Sequence, residues 1–363
     1  MMNILKECLT TANSSLDQVK AFISVLSSQK SAISEFEKNP HLNKYIELSN
    51  FISCNRSIIN SSVSYNAVII SLYGCLENYI DNLLGEYITL LSKSCKNYNE
   101  LPENIRKKHQ ERLGDYLSNP QRYKGYQLTP DLAIKNFYNL LTSTVDFNEN
   151  KDLIIAHSGN INCEQLATIL KDLNINQPIQ ELLSNYYLED FIKRSLNFSD
   201  TAYNRYKLDN PAGLFKYLED LVVFRNAVAH GRIIENRINF SELEEKTLPF
   251  LRNLFISIYE VVLTAYYSFL YKKQQLTQLD LISNSVFDNH IICINTKNFS
   301  FHLGDIVFAI SPNSKLVTLE IRSIELDHKK LKEITIPDVN IGIEFEKRPD
   351  HNLKDTWQFY FTN

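Results

Sequence analysis

Leu221-Val222-Val223-Phe224-Arg225-Asn226-Ala227-Val228-Ala229-His230-Gly231 closes an apolar-periodic segment, and the fold reading turns on it. The segment opens at Asp209, Asn210 and Pro211, an acidic cap candidate followed by proline at the first helical position. Gly231 supplies the residue type that best takes the left-handed turn ending a helix. The spacing predicts one helix from about Pro211 to His230, with Leu214, Leu218, Leu221, Val222 and Val228 facing a core. Its last turn carries Arg225, Asn226 and His230. Asn226 and His230 are four apart and share a face. Arg225 and His230 are five apart and meet only if the guanidinium arm bends round or the helix loosens at Gly231.

Two accounts of this helix end stand side by side. In one, Arg225 pairs with a carboxylate, Asn226 ties two helices and His230 interacts with the helix C-terminus. In the other, the three residues form a reactive site. Arg225-Asn226-Ala227-Val228-Ala229-His230-Gly231 resembles the signature of HEPN ribonucleases, an arginine followed by a polar residue and then a histidine four to six residues further on. Asparagine directly after the arginine, the Ala-His-Gly exit and the amphipathic helix before it are similar to the RiboL-PSP/MAE group of that family. Leu72-Tyr73-Gly74-Cys75-Leu76-Glu77 and His157-Ser158-Gly159-Asn160 add to the resemblance, which covers roughly Ser61 to Lys273. One departure is informative. Some toxins of the family carry a tyrosine two residues after the histidine, which their antitoxins modify; here that position is Arg232, so control by that route is not expected.

The resemblance implies a helical HEPN bundle acting as a metal-independent endoribonuclease that leaves 2′,3′-cyclic phosphate and 5′-hydroxyl ends. Arg225, Asn226 and His230 would be catalytic, Glu77 supporting. It also implies RNA as substrate, a homodimer that combines two copies of the motif, and a toxin or anti-phage role with an antitoxin or trigger protein as partner. No cofactor or metal is expected. Chemically, His230 suits general acid or base work, and Arg225 can hold a scissile phosphate. The leading alternative is a noncatalytic HEPN scaffold that binds RNA or a partner, with the C-terminal part as sensor. A third reading is an RNA-binding or translation-associated adaptor led by that C-terminal part.

Composition narrows the classes. At 363 residues the chain can hold two or three domains, and 44% hydrophobic with 22% charged content describes an ordinary globular protein. Formal net charge is -4 with pI near 6.1, so there is no global basic field and any RNA contact needs a local patch. Six scattered cysteines form no zinc-spaced set and read as reduced residues of a cytoplasmic protein. Nine glycines leave no Walker or dinucleotide fingerprint. Leu251 to Tyr271 is the most apolar run, but Arg252, Asn253, Ser257 and Glu260 mark it as a buried helix rather than a membrane span.

Along the chain, residues 1–60 read as helical through Leu5, Leu9, Val19, Phe22, Ile23 and Val25, with a break at Asn39-Pro40 and a second element after His41. Residues 61–275 form the HEPN part with an insertion at about 93–210. Its first long helix, about Ser64 to Ser92, carries Ile69, Leu72, Leu76, Ile80, Leu83, Leu84 and Ile88 with Tyr73, Tyr79 and Tyr87 interleaved. In the insertion, Arg106, Lys107, Lys108 and Arg112, with Arg122 and Lys124, are the candidate RNA-binding patch, the alternative being a solvated helix face. His157 reads as a structural or loop histidine. Asn160 and Asn162 precede a helix through Leu166, Ile169 and Leu170. Ile233, Ile234, Ile238 and Phe240 suggest a short strand or turn, and Ser241 with Glu244 a capping box for a helix to about Lys273 that packs Phe250, Leu254, Ile256, Val261, Leu263 and Tyr267. From 283 to 363 short β-branched runs, at Ile291–Ile294, Ile306–Ile310, Leu316–Ile321, Ile334–Ile336, Ile341–Phe345 and Trp357–Phe361, predict a small antiparallel barrel and an α+β class. Gly304-Asp305-Ile306-Val307 and the stretch from Ile321 to Ile343 resemble the second domain of translational GTPases in architecture, which carries no GTPase expectation.

Overall fold

The computed structural model describes residues 3–38, 47, 50, 54, 56, 62–123, 128–142, 150–157, 159–232 and 237–362. The expectations at Asn39-Pro40, His41, Lys124, Ser158, Ile233 and Ile234 lie outside the described residues, as does the side chain of Arg122. The chain is α+β: a helical part is followed by an antiparallel, curled half-barrel.

α1 (Asn3–Glu37) buries Leu5, Ala12, Leu16, Val19, Ile23, Leu26 and Ile33. Those steps of three, four and seven repeat every 3.5 residues, so a single narrow seam faces the neighbouring helix. Phe22 and Val25 belong to the expected helix but fall off that seam and are exposed. α2 (Ser62–Lys93) is the central helix and is buried nearly all round. Its interleaved tyrosines reach backbone polar groups: the Tyr79 hydroxyl donates to the Phe255 carbonyl at 2.6 Å, and that of Tyr73 accepts from the Ile161 N–H at 2.8 Å.

Six short helices follow. They are α3 (Glu103–Ser118), α4 (Pro130–Thr142), α5 (Lys151–Ile155), α6 (Cys163–Asp172), α7 (Pro178–Leu183) and α8 (Tyr186–Leu196). α9 (Asp200–Asp209) leads into a 3-10 turn, Pro211–Phe215, and then α10 (Lys216–Ala229). The single helix expected from Pro211 is thus two pieces, although Asn210 does cap it by accepting from Gly213 N–H at 3.2 Å. α11 (Phe240–Lys272) completes the bundle. Its cap is Asn239, which accepts from Glu242 N–H at 2.7 Å, not the expected Ser241. A π turn at Leu243–Thr247 precedes Pro249, whose ring cannot fit against an unbroken helical ladder. Phe250, Leu254, Leu263 and Tyr267 are buried as expected, whereas Ile256 and Val261 are half-buried. Among the described residues this one helix is long and apolar enough to cross a membrane, and 56% of its most apolar window is buried within the protein.

One buried histidine gives a stability prediction. His109 on α3 accepts from Asn150 Nδ2 at 3.2 Å through Nε2, which leaves the proton on Nδ1, 3.3 Å from the Tyr98 hydroxyl. Burial lowers its pKa from 6.5 to about 4. The unfolded chain then binds a proton that the folded one refuses, so this contribution is present above pH 6.5 and is lost as pH falls towards 4. The loss should reach about 3 kcal/mol by pH 4. Denaturant unfolding at pH 7 and pH 4.5 checks it: the difference should shrink in His109→Gln.

The sheet begins at Thr277 with β1 (Thr277–Gln278) and β2 (Leu281–Phe287), neither of them expected. β3 (Ile291–Asn295), β4 (Phe301–His302), β5 (Ile306–Ile310), β6 (Leu316–Leu326), β7 (Lys329–Leu331), β8 (Glu333–Ile334), β9 (Asn340–Phe345) and β10 (Gln358–Phe361) complete it. The main order is β1-β10-β5-β6-β9-β3-β2, with β7 on β6 and β4 paired to β8 apart from it. β1 and β2 lie at opposite edges yet are joined by Leu279 and Asp280 alone, which forces the curl. The small antiparallel barrel expected here is present as a half-barrel, and the expected strand Ile334–Ile336 stops at Ile334. β5 is apolar throughout because both faces are covered. Val307 and Ala309 enter the sheet core, while Ile306 and Phe308 join the helical core, where Phe308 stacks on Tyr267 at 6.0 Å.

Candidate active site

α10 ends as its sequence suggested. Gly231 N–H bonds to the Val228 carbonyl at 3.0 Å, Arg232 N–H to that of Ala227 at 2.8 Å, and Gly231 has φ +63°. This double closure spends the last carbonyls of the helix and turns the chain away sharply, leaving His230 exposed at the rim. A Cβ at Gly231 would meet nothing, so Gly231→Ala should lose only the left-handed backbone penalty, about 1 kcal/mol, with Gly231→Asn losing less. A shift in the denaturation midpoint at constant slope checks this.

Arg225 and Asn226 are half-buried and held from two sides. The Arg225 guanidinium carbon lies 5.1 Å from the centre of the Tyr73 ring on α2, and its Nη1 donates to Asn226 Oδ1 at 3.4 Å. Asn160, in the loop between α5 and α6, donates from Nδ2 to the same Oδ1 at 2.6 Å. Tyr73 also hydrogen-bonds the Glu77 carboxylate one turn along α2, and burial keeps its phenol well above the ordinary range and protonated. Glu77 lies beside the ring under Arg225; no hydrogen bond or ion pair joins it to Arg225 or His230 among the described residues.

The same loop is pinned again upstream and downstream. His157 Nδ1 donates to the Gly159 carbonyl at 2.8 Å, and its Nε2 lies 3.5 Å from Asp81 Oδ1, a further turn along α2. Asp81 and the Gly159 carbonyl raise the His157 pKa against the opposing effect of burial. Asn162 caps α6 at Gln165 N–H, and Glu219 of α10 accepts from Cys163 N–H at 2.9 Å. Tyr73, Asn160, Arg225 and Asn226 are therefore brought together, with His230 exposed at the end of the same helix. Asn160, Tyr73 and Asp81 are contributors that sequence reasoning did not name as site residues. For Tyr73 and Asp81 the signal was the step of four from Tyr73 to Glu77 to Asp81, which puts them on one face of α2; Asn160, in a loop, carried none.

The basic patch is placed differently. Arg106 donates from Nε to the Leu101 carbonyl at 3.1 Å, Lys107 pairs with Glu103 at 2.7 Å, and Lys108 pairs with Asp172. Arg112 is half-buried with its Nε enclosed. α3 packs on α5 and α6; Arg106, Lys108 and Arg112 are half-buried there, whereas Lys107 is exposed and its pair with Glu103 lies at the surface. Among the described residues no group of three or more His, Cys, Asp or Glu could hold a metal ion. A wide cleft, about 1250 Å³, lies between α1, α11 and the half-barrel and is not lined by Arg225, Asn226 or His230.

Comparison with known families adds one match: residues 47–264 fit the family described as RiboL-PSP-HEPN. No curated protein matches the chain.

Proposed function

The chain belongs to the RiboL-PSP-HEPN family, which points to a nuclease-type or RNA-related role, and from that premise we propose that it is an endoribonuclease acting without a metal ion. The observation that carries the proposal is the arrangement at the end of α10. Arg225 is stacked on Tyr73, Asn226 is fixed by Asn160, and an exposed His230 stands one turn beyond on the same side as Asn226. In this reading the ribose 2′-oxygen loses its proton and attacks the adjacent phosphorus, and the 5′-oxygen leaves with a proton. His230 handles one of those protons, and Arg225 stabilises the charge that builds on the phosphate. Products carry 2′,3′-cyclic phosphate and 5′-hydroxyl ends.

One histidine cannot stand on both sides of the phosphorus. The motif lies at the surface, outside the wide cleft, and Val223 on the same helix is 62% exposed. Both features suit a homodimer in which facing copies complete one site; a toxin or phage-defence role, with the half-barrel receiving a trigger, is part of the same proposal. The bonding of Arg106 and Lys108 to other parts of the fold, which leaves fewer free cations for RNA on α3, favours the second reading, a noncatalytic module that binds a partner protein. Cleavage of total RNA in EDTA, with end-group analysis, separates the two: metal-independent cuts with cyclic-phosphate ends support the nuclease. Cuts that persist in both Arg225→Ala and His230→Ala sink the assignment of the site.

A further inference from the structure

The amide of Asn226 can be oriented from its partners alone. Its Oδ1 faces two donors, Asn160 Nδ2 at 2.6 Å and Arg225 Nη1 at 3.4 Å. Rotating the amide by half a turn would set N–H against N–H at both contacts, so the oxygen points inward and Nδ2 points away from the loop. An outward Nδ2 is a pure donor. It suits a phosphate oxygen and cannot accept from a ribose hydroxyl.

Arg225, a donor only, fixes which way the amide faces; Asn160 holds it there through the shorter bond, and its loop holds Asn160. Between α5 and α6 the chain is held by His157 to Asp81, by Ile161 N–H to Tyr73 and by Cys163 N–H to Glu219, so each side of Asn160 is anchored to α2 or α10. The His157 side chain is 12% exposed and its two ring nitrogens are both engaged, a clasp rather than a free base. We propose that Asn160, held in place by the His157–Asp81 clasp, is a positioning residue of the site, fixing the Asn226 amide with Nδ2 outward as a donor to the RNA phosphate. This rests on the ribonuclease reading for its ligand, but the orientation itself does not.

The experiment uses the full-length chain with selectively labelled asparagine, and compares wild type with Asn160→Ala and Asn160→Asp. In wild type the Asn160 side-chain amide protons should be shielded from solvent exchange and those of Asn226 should exchange freely. A short oligonucleotide with 2′-deoxyribose at the scissile position, which cannot be cleaved, should shift the Asn226 Nδ2 resonance. The carboxylate introduced by Asn160→Asp presents only acceptors, so it turns the Asn226 amide round and that response disappears. Cleavage should fall about tenfold to a hundredfold in kcat/KM, the range expected for a hydrogen bond to a charged group. It should fall further in Asn160→Asp than in Asn160→Ala. A residue that merely packs would show the reverse order, since aspartate is the closer match in shape. Equal activity of all three proteins, or free exchange at Asn160 with protection at Asn226, overturns the proposal. If wild type does not cleave yet the exchange pattern holds, the positioning role stands and the ribonuclease reading is what fails.

Discussion

Arg225→Ala and His230→Ala should each lower RNA cleavage by about a thousandfold or more while unfolding at nearly the wild-type denaturant concentration. That size combines about 100- to 10,000-fold for a positioned acid or base with about 100- to 1,000-fold for a lost charge-stabilising donor. Stability should barely respond at His230, because the side chain is exposed and has no hydrogen bond or ion pair among the described residues. At Arg225 the loss is the contact with Tyr73 and one long bond to Asn226, worth about 1 kcal/mol. Groups that act as a unit are not additive, so the double variant should be no slower than the worse single one. Mixing the two inactive variants should restore a fraction of the activity if facing copies contribute the arginine and histidine of one site, and none if each copy carries its own. Folded variants that keep wild-type rates would place the chemistry elsewhere.

The second large effect is structural and lies where the half-barrel meets the helices. Arg348, with 4% of its side chain exposed, donates from Nη1 to Glu260 of α11 at 2.6 Å. It also grips Asp350 with Nε at 3.0 Å and Nη2 at 2.9 Å, and its guanidinium carbon sits 4.8 Å from the Tyr187 ring centre on α8. Asn185 donates to the other Glu260 oxygen at 2.6 Å, and Ser257 donates to Asn185 at 2.9 Å, so the ion pair has its remaining lone pairs met. Burial pushes Glu260 up even so, a sign of how poorly that carboxylate would tolerate losing its partner. Arg348→Ala leaves two half-buried carboxylates with no cation between them and should destabilise the protein by about 3 kcal/mol, the low end for a broken buried pair. Converting the acids as well, in Arg348→Met with Glu260→Gln and Asp350→Asn, should recover a large part of that loss. Thermal unfolding would test both, and a loss under about 1 kcal/mol in Arg348→Ala would show that apolar contacts such as Tyr271 with Tyr360 hold the sheet without it.

How much of this was readable beforehand follows the range of the interactions. The end of α10 was legible because every bond that makes it spans three to five residues, from Asn226 to Arg232. α2 was legible because its apolar residues recur on the helical period and nearly all of them found a core. The cap of α11 was missed by two residues: Asn239 and Ser241 are both competent, and the neighbouring π turn shifts which N–H lies free. Phe22 and Val25 helped to mark the helix yet stay exposed, because a seam repeating every 3.5 residues buries fewer positions than a broad apolar face.

By itself the sequence determined the α+β class, the central helix, the strand runs and a helix end carrying Arg225, Asn226 and His230. Each of these rests on periodicity or on bonds between near neighbours. Only the tertiary structure decided what those residues meet. Asn160 reaches Asn226 across 66 positions, and Lys108 meets Asp172 across 64. The half-barrel is tied to α11 through a buried arginine 88 residues away from its partner. Such pairs form only when burial of the whole core has offset the entropy of closing the loops between them, and no local pattern in the chain encodes which donor will then lie opposite which acceptor.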